Sequence, residues 1–362
     1  MQAAITGIGI ANPEFVRKQQ DAADLITAGF YLKPAEKRLI NSVYKATGIE
    51  KRYSVLNDFC RLPGEFEFFP NEPDAPFPST GARMKLYKDN ALKLALRAIK
   101  NCLDSNNLDP IQITHVITIS CTGMYAPGLD IEIIQTLNLK PDVQRTAINF
   151  MGCYGAFNGM KVAEAFCKAD PNAVVLLVSV ELCTIHFQKS LDISNVLSNS
   201  IFADGAAAVI VQARPSHQKC FILKNFFCDL IPQSNHEMAW SIADSGFDIV
   251  LSSYVPEIIQ SGISQFAKKI LALSKLSHFD LYAIHPGGRK ILEACEKSLQ
   301  ITKEDNKYSY HVLQNYGNMS SATILFVLKK IWDDETIEAG SKVFSCAFGP
   351  GLTMESSVLE TQ

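Results

Sequence analysis

Residues 146–168 read TAINFMGCYGAFNGMKVAEAFCK, and the character of the sequence changes twice within this stretch. The short run from Thr146 to Phe150 is typical of a strand, whereas apolar residues recur at helical spacing from Gly155 to Lys168. Gly152 and Gly155 bracket the residues between these two runs, and glycine permits a sharp turn there. The stretch therefore predicts a strand that turns abruptly into a helix, which is the local unit of an α/β fold.

The same alternation of strand-length runs and helical periodicity continues on both sides of this stretch. It predicts strands at 115–120, 174–180, 279–284, 342–348 and 352–359, and helices at 84–103, from 130 onward, and at 289–299 and 320–332. A short polar break at 213–218 predicts a seam between an N-terminal half, residues 1–213, and a C-terminal half, residues 214–362. No sequence repeat relates the halves, so the division depends on the order of elements alone.

The composition of the chain argues against several classes of function. With 362 residues, of which 47% are hydrophobic, the chain can bury a large core. A formal charge of -3 gives no indication of a nucleic-acid-binding surface. No apolar run approaches the roughly 18 residues that a membrane helix needs. The first ten residues predict a buried strand rather than a secretory signal.

Ten cysteines are scattered along the chain without the spacing of metal ligands, so we expect no metal site. Without a secretory signal, most of them are expected to be reduced and buried, in a compartment like the cytoplasm. Each cysteine taken alone is more readily explained as an inert core residue than as a reactive one.

Cys153 lies in the glycine-bracketed turn, at the start of the predicted helix. Helix N-termini favour negative charge, so this position favours a thiolate. Lowering a thiol pKa by roughly two units requires about 2.7 kcal/mol, which is more than a helix terminus usually provides. We therefore expect a second, cationic partner for Cys153. The alternative is that Cys153 merely fills a tight corner between strand and helix.

Two further residues lie beside glycines at the ends of predicted elements. His285 ends a predicted strand and precedes Pro286-Gly-Gly, while Asn318 follows Gly317 and precedes a predicted helix. Separately, they could be a polar turn residue and a helix cap. Together with Cys153 they form a nucleophilic set, in which histidine and asparagine both donate hydrogen bonds to a developing oxyanion.

Five separated segments give this set a specific likeness: Gly152-Cys-Tyr-Gly, Ile201-Phe-Ala-Asp-Gly-Ala-Ala-Ala, His285-Pro-Gly-Gly, Tyr316-Gly-Asn-Met-Ser-Ser-Ala and Phe348-Gly-Pro-Gly-Leu-Thr-Met-Glu. In content and order they resemble the type III polyketide synthase (chalcone synthase-like) family. The resemblance implies an α/β, thiolase-like, five-layer αβαβα fold made of two similar halves and built as a homodimer. It also implies acyl-CoA and malonyl-CoA as substrates, with no cofactor.

The resemblance implies a two-step reaction. Cys153 would accept an acyl group from a thioester, and His285 and Asn318 would hold a malonyl thioester oxygen while carbon dioxide leaves. The enolate would then attack the acyl group on Cys153. Further residues are implied to bind substrate, by lying beside the cysteine or by shaping the cavity: Phe202, Ile249, Cys183, His186, Gly349, Pro350 and Ser320.

Three departures from the plant enzymes of the family affect the cavity. Positions that are small threonines or serines in those enzymes correspond to Cys121, Cys183 and His186 here, and an entrance phenylalanine corresponds to Ile249. A branched aliphatic side chain cannot stack on an aromatic starter. We therefore expect an aliphatic starter group, although Cys183 and His186 could instead be packed behind the cavity wall.

The expected CoA clamp is also altered. In the plant enzymes, basic residues ahead of a Lys-Arg-Tyr motif bind CoA phosphates. Ahead of Lys51-Arg-Tyr, the corresponding positions hold Leu39, Ser42 and Ala46. Basic side chains do lie nearby, at Lys37, Arg38 and Lys45. This altered clamp keeps one alternative open, a β-ketoacyl synthase III-like enzyme that performs one condensation on an acyl carrier protein substrate.

Two other functions have less support from the sequence. A papain-like protease also orders Cys, His and Asn along the chain, but its cysteine lies near the mature N-terminus in a different motif. A degenerate subunit that only supports an active synthase would be expected to lack one of the three residues, and all three are present.

Overall fold

The computed structural model describes residues 2–29, 32–72, 74–213, 219–234 and 236–362, with the side chains of residues 28 and 29 left out. Within these ranges the strands are β1 Ala3–Ala11, β2 Phe15–Lys18, β3 Lys51–Ser54, β4 His115–Ser120, β5 Gln144–Asn149, β6 Val174–Leu182, β7 Asp204–Ala213, β8 Phe221–Leu230, β9 Met238–Ala243, β10 Gly246–Leu251, β11 Leu281–Ile284, β12 Lys342–Gly349 and β13 Thr353–Thr361. The helices are α1 Gln19–Gly29, α2 Pro34–Ala46, α3 Thr80–Asn106, α4 Leu129–Thr136, α5 Gly155–Ala169, α6 Ile193–Ile201, α7 Val255–Ser274, α8 Arg289–Leu299, α9 Lys307–Tyr316 and α10 Thr323–Asp333.

Nine strands are hydrogen-bonded in one continuous order and fall into two groups, the N-terminal sheet and the C-terminal sheet. The N-terminal group has the order β1-β7-β6-β4-β5, and the C-terminal group has the order β11-β12-β13-β8. The groups join where β1 pairs with β8 over two residue pairs, Ala4 with Ile222 and Ile5 with Phe221. In the first group β4 lies parallel to both β5 and β6, and in the second β11 lies parallel to β12. Each half therefore brings the ends of parallel strands to the same edge of its sheet.

Helices α5 and α10 form the central layer. Phe157 on α5 and Ile324 on α10 are fully buried in one apolar cluster, which also contains Val175 from the first group of strands and Val343 from the second. Complete burial of such side chains contributes about 1.5–3 kcal/mol each. The inward faces of both sheets are thus covered by the same pair of helices.

Two outer layers complete the fold. The opposite face of the N-terminal sheet packs against α3 and α4 through residues such as Ala95, Ile133 and Val178. The opposite face of the C-terminal sheet packs against α7 and α8 through residues such as Ile263, Leu292 and Phe344. The order helix, sheet, helix, sheet, helix confirms the five-layer αβαβα architecture expected from the sequence.

The close packing of α3 on the N-terminal sheet depends on Gly9. A Cβ atom at this position would lie 2.2 Å from the Ala98 carbonyl oxygen and 2.3 Å from the Cys102 amide nitrogen, both on the α3 backbone. No side chain fits at that distance, so glycine allows the helix and strand backbones to touch. The result is direct contact between the α3 backbone and β1, the strand at which the two groups join.

Several predicted elements match the structure within a few residues, and others were missed. The helix predicted at 84–103 is α3, and the strand predicted at 352–359 is β13. The helix predicted at 320–332 is split into a 3-10 turn at Ser320–Ala322 and then α10. The hairpin of β9 and β10 was not predicted. Of the predicted seam, residues 214–218 lie outside the described residues, so the division into halves at 213 stays a prediction.

None of the helices in the described ranges is both long and apolar enough to span a membrane.

Candidate active site

The turn that carries Cys153 is held in shape by a second turn from the other half of the chain. Gly152 has a φ of 78°, and a Cβ atom there would lie 2.4 Å from Pro350 Cδ. In return, a Cβ atom on Gly349 would lie 2.6 Å from Tyr154 Cδ1. Both glycines are therefore required by close approach, and Gly152 also by its left-handed backbone conformation. Cys153 is locked between β5 and the start of α5, as the sequence predicted.

His285 directly follows β11, and its amide donates a hydrogen bond of 2.8 Å to the Cys346 carbonyl oxygen. The side chain is only 1% exposed. Within the described part of the chain, neither ring nitrogen has a hydrogen-bond partner. Burial lowers the pKa of His285 to about 3, so the imidazole is neutral at physiological pH. A buried ring with two unpaired nitrogens lacks the partners that a substrate would supply.

Asn318 lies beside Phe202, where the two residues form an isolated parallel bridge. Its Oδ1 accepts hydrogen bonds from the Ser320 amide at 2.9 Å and from Thr323 Oγ1 at 3.4 Å. Its Nδ2 donates a long bond of 3.3 Å to the Gly287 carbonyl oxygen and also interacts with the Cys153 thiol. The cap-like role considered for Asn318 is therefore performed by its oxygen, which fixes the amide and leaves the nitrogen on the side of the nucleophile.

One cavity of about 300 Å³ joins these residues. Its lining includes Cys153 from the N-terminal half and His285, Asn318 and Ser320 from the C-terminal half. The three residues that the sequence singled out are separated by up to 165 positions, from 153 to 318, yet face the same space. The structure thus brings together the predicted nucleophilic set.

The expected lowering of the Cys153 pKa is contradicted. Burial raises the pKa of this thiol to about 12, and the nearby Glu181 carboxylate raises it further. Hydrogen bonds from the side chains of Ser320 and Asn318 act in the opposite direction but are outweighed. No cationic partner compensates, because burial also keeps His285 neutral. The thiol and the imidazole of the chain alone are both uncharged.

Glu181 was missed in the sequence, although it controls the surroundings of Cys153. This carboxylate is fully buried, and burial raises its pKa. It accepts hydrogen bonds from the Cys121 amide at 2.9 Å, from Thr122 Oγ1 at 2.8 Å and from Ser321 Oγ. A buried carboxylate needs such donors to be tolerated. Glu181 therefore ties the end of β4 to the turn that follows Asn318.

A smaller inner chamber of about 80 Å³ adjoins the main cavity. The two share Cys183, Phe202, Trp240 and Ile249, which form the constriction between them. The chamber wall carries many apolar side chains, including Leu25, Ile26, Phe59, Phe66, Phe69, Phe187 and Phe247. Cys153 and the apolar chamber therefore lie on either side of these four shared residues.

The remaining candidate residues fall into three places. Phe202, Ile249 and Cys183 lie at the constriction, and Ser320 and Pro350 line the main cavity. Gly349 is absent from the cavity lining and packs under the nucleophile turn instead.

His186 lines only the inner chamber. Its Nε2 lies 2.7 Å from the Thr122 carbonyl oxygen, while Nδ1 accepts from the Phe247 amide at 3.0 Å. Burial lowers its pKa to about 3, so the donor to Thr122 is a neutral imidazole. His186 is thereby fixed as part of the wall.

Trp240 was not recognised as a site residue in the sequence. It pairs with Ile249 across the β9–β10 hairpin, and its Nε1 donates a 2.9 Å hydrogen bond to the Cys121 carbonyl oxygen. Trp240 thus fixes the hairpin, and with it Ile249, to the end of β4. The available signal was its rarity, because the chain has only two tryptophans.

Two sequence-family models match the chain. One, described as the N-terminal domain of chalcone and stilbene synthases, covers residues 1–215, and the other, described as the C-terminal domain, covers residues 223–362. The chain belongs to the chalcone and stilbene synthase family. It is a type III polyketide synthase, an acyltransferase that condenses malonyl units onto an acyl starter with loss of carbon dioxide. The carrier-protein-dependent alternative is not favoured by these matches.

The sequences of two named relatives align with most of this synthase. The alpha-pyrone synthesis polyketide synthase-like Pks18 of Mycobacterium tuberculosis is 32% identical over 365 residues, which cover 99% of this chain and 91% of that protein. The putative chalcone synthase of Bacillus subtilis is 30% identical over 285 residues, or 75% of this chain and 78% of that protein.

Solved structures agree with the fold. The C-terminal type III polyketide synthase domain of Steely1, a type I/III hybrid from Dictyostelium, superimposes with a TM-score of 0.92 at 28% identity, covering 100% of this chain and 99% of that one. PKS-I from the brown alga Ectocarpus siliculosus gives a TM-score of 0.91 at 28% identity, covering 100% and 98% respectively.

The lining of the main cavity does not include the basic side chains that were expected to bind CoA. Ser42 and Ala46, two of the positions that correspond to the basic clamp, line the cavity, but Leu39 does not. Lys37, Arg38 and Lys45, the nearby cations, are also absent from its lining. The cations that do line it are Arg289 and Lys290 at the start of α8.

We predict that His285→Gln slows alkylation of Cys153 by iodoacetamide at pH 7 at least tenfold. Only the thiolate reacts, and because burial raises the pKa of this thiol, the thiolate forms where the imidazolium made by the same proton transfer stabilises it. An amide cannot accept that proton, so in the variant the rate should rise about tenfold per pH unit between pH 7 and 10. Peptide mass spectrometry measures the modification at Cys153.

His278→Gln, which changes an exposed histidine, serves as the control and should alkylate at the wild-type rate. An unchanged rate in His285→Gln would show that His285 is not the proton acceptor for Cys153.

Proposed function

We propose that Cys153 carries the growing acyl chain and that His285 and Asn318 stabilise the enolate. In the loading step, the Cys153 sulfur attacks the thioester carbonyl of the starter while its proton passes to a His285 nitrogen. The carrier's thiolate leaves and takes that proton from His285. His285 is then neutral again, and Cys153 holds the acyl group as a thioester. The observation that supports this assignment is that both unpaired nitrogens of buried His285 share one cavity with Cys153 and Asn318.

In the extension step, the malonyl thioester loses carbon dioxide, and its carbonyl oxygen becomes the enolate oxygen. The N–H of neutral His285 and the Asn318 Nδ2–H would donate to that oxygen, as in an oxyanion hole. The enolate carbon then attacks the acyl carbonyl on Cys153, and the Cys153 sulfur leaves. The apolar face of Phe202 beside the site disfavours a carboxylate and so favours its loss.

We predict that Asn318→Asp slows malonyl-CoA decarboxylation at least a hundredfold while acyl loading falls less than tenfold. The substitution places negative charge where negative charge develops, which costs the donor and adds repulsion. Carbon dioxide release measures the first step, and intact-protein mass spectrometry after incubation with an acyl-CoA measures the second.

Cys153→Ala is the control for loading and should show no stable acyl adduct. Equal loss of both steps in Asn318→Asp, with thermal unfolding unchanged, would mean that the proposed division of roles is incorrect.

We propose that the starter is aliphatic and extends through the constriction into the inner chamber. Three charged side chains lie in the chamber wall, and each already has hydrogen-bond partners. Arg17 donates to the carbonyl oxygens of Asp21 and Arg61. Arg52 donates to Gln19 Oε1, to the Asn199 carbonyl oxygen and to the Phe202 carbonyl oxygen, at 2.6–2.9 Å. Asp58 accepts from the amides of Glu67, Phe68 and Phe69. The rest of the wall is mainly apolar, which suits a hydrocarbon chain.

We predict that kcat/KM increases with starter length up to the capacity of the chamber, and that a medium-chain acyl-CoA is preferred over an aromatic one. Each buried methylene contributes about 0.8 kcal/mol, or roughly fourfold. Ile249→Phe should narrow the constriction and remove this preference without reducing activity with the shortest starter.

Val250→Phe is the matched control, because Val250 is 45% exposed on the other face of β10. A flat response to chain length, or preference for the aromatic starter, would contradict the aliphatic assignment. His186→Thr adds a second comparison. If His186 limits the chamber, this variant should give longer products, and unchanged products would confine His186 to its two structural hydrogen bonds.

We further propose that the enzyme is a homodimer in a reducing, cytoplasm-like compartment. The dimer rests on analogy with the family and the compartment on the ten cysteines, none of which is paired in a disulfide within the described residues. Light scattering at micromolar concentration should give about twice the 39.9 kDa chain mass. A stable monomer would contradict the dimer.

A further inference from the structure

Two helix ends that line the main cavity differ in charge. Residues from α2 and its C-terminal end, Ser42, Val43, Ala46 and Thr47, carry no charge. Arg289 and Lys290, the first two residues of α8, are cationic. An anionic group of a substrate in this cavity therefore meets positive charge on α8 rather than on α2.

Backbone groups add to the positive charge at this point. The first N–H groups of a helix have no partner within the helix, and its N-terminus carries partial positive charge. Gly288 precedes α8 and provides no side-chain cap for these groups. Phosphates bind readily at such positions when cationic side chains accompany them.

Both cationic side chains are available for a ligand. Arg289 Nε pairs with Glu293 Oε1 at 2.7 Å, but the two side chains are 52% and 47% exposed. A pair that exposed contributes little, about 0–1 kcal/mol, and leaves the terminal guanidinium nitrogens free to bind an anion. Across the described residues, Lys290 makes no ion pair. The Arg289 side chain also lies beside Gly48, just after α2, and so close to the cavity-lining residues of that helix.

The chain limits how far these side chains can lie from the reaction centre. Arg289 follows His285 by four residues, so their Cα atoms are at most roughly 14 Å apart. His285 has two buried, unpaired nitrogens in the same cavity, which indicates where the thioester end would bind. A carrier with an uncharged arm and phosphates at its far end would place those phosphates at the start of α8.

From these observations we infer that Arg289 and Lys290 bind the phosphate groups of CoA, in place of the basic residues missing from α2. The inference rests on the proposed function, because it takes CoA as the carrier of the acyl and malonyl groups. It assigns recognition of the carrier, rather than of the acyl group, to these two side chains.

The test compares malonyl-CoA with malonyl-pantetheine, which has the same arm without the phosphates. In Arg289→Gln/Lys290→Gln, the KM for malonyl-CoA should rise about tenfold. The KM for malonyl-pantetheine should stay the same, so the ratio of the two KM values should change by the same factor. Added salt should raise the wild-type KM for malonyl-CoA but not for malonyl-pantetheine. Lys297→Gln, near the other end of α8, is the matched control and should resemble wild type.

Two results would overturn the inference. Equal KM changes for both donors would show that the pair positions the arm or the fold, and a selective effect found only in Lys37→Gln/Arg38→Gln would return the clamp to α2. Calorimetric binding of CoA itself to wild type and the double variant tests the inference without catalysis. If CoA binding weakens about tenfold but no donor is condensed, the proposed function fails while the phosphate site stands. Equal CoA affinities would exclude the site even in an active synthase.

Discussion

The close approach of two turns, one from each half of the chain, is the constraint on which the active site depends. Gly152 and Pro350 touch where no Cβ atom would fit, and Gly349 and Tyr154 do the same next to them. Since Cys153 lies in the first turn, its position is set by the second, which belongs to the opposite half. His285 and Asn318 come from that same half. Packing between the halves, rather than local sequence, therefore sets the distances between the nucleophile and its partners.

The fold and the three principal residues could be predicted because they leave local signals. Cys153, His285 and Asn318 each lie beside glycine at the end of an element, and strand and helix periodicities repeat in both halves. The β9–β10 hairpin leaves no such signal, because Ile249 and Trp240 acquire meaning only when the hairpin packs against Cys121. Periodicity indicates what kind of element a segment forms, but not which distant backbone it will contact.

The pKa of Cys153 could not be predicted for a related reason. A helix N-terminus visible in the sequence favours the thiolate, but the cost of burial depends on everything packed around the sulfur. Glu181, 28 positions away in sequence, adds negative charge nearby. Glu181 has a structural role, because its carboxylate accepts three hydrogen bonds that join Cys121, Thr122 and Ser321. Its negative charge nevertheless opposes the ionisation of Cys153, and the proton acceptor has to come from the other half.

A neutral His285 is suited to both steps of the proposed mechanism. Loading needs an acceptor for the thiol proton, and neutral His285 has a free nitrogen for it, while the imidazolium that forms is stabilised by the thiolate beside it. Extension needs a donor to the enolate oxygen, and the same neutral ring still carries one N–H. Asn318 cannot titrate, and the bonds to its Oδ1 leave its Nδ2 to donate weakly to the Gly287 carbonyl oxygen and to interact with the Cys153 thiol. A carboxylate in place of Asn318 would remove one of the two donors to the enolate oxygen and add negative charge beside it. An uncharged amide beside a buried imidazole thus keeps both donors that the extension step needs.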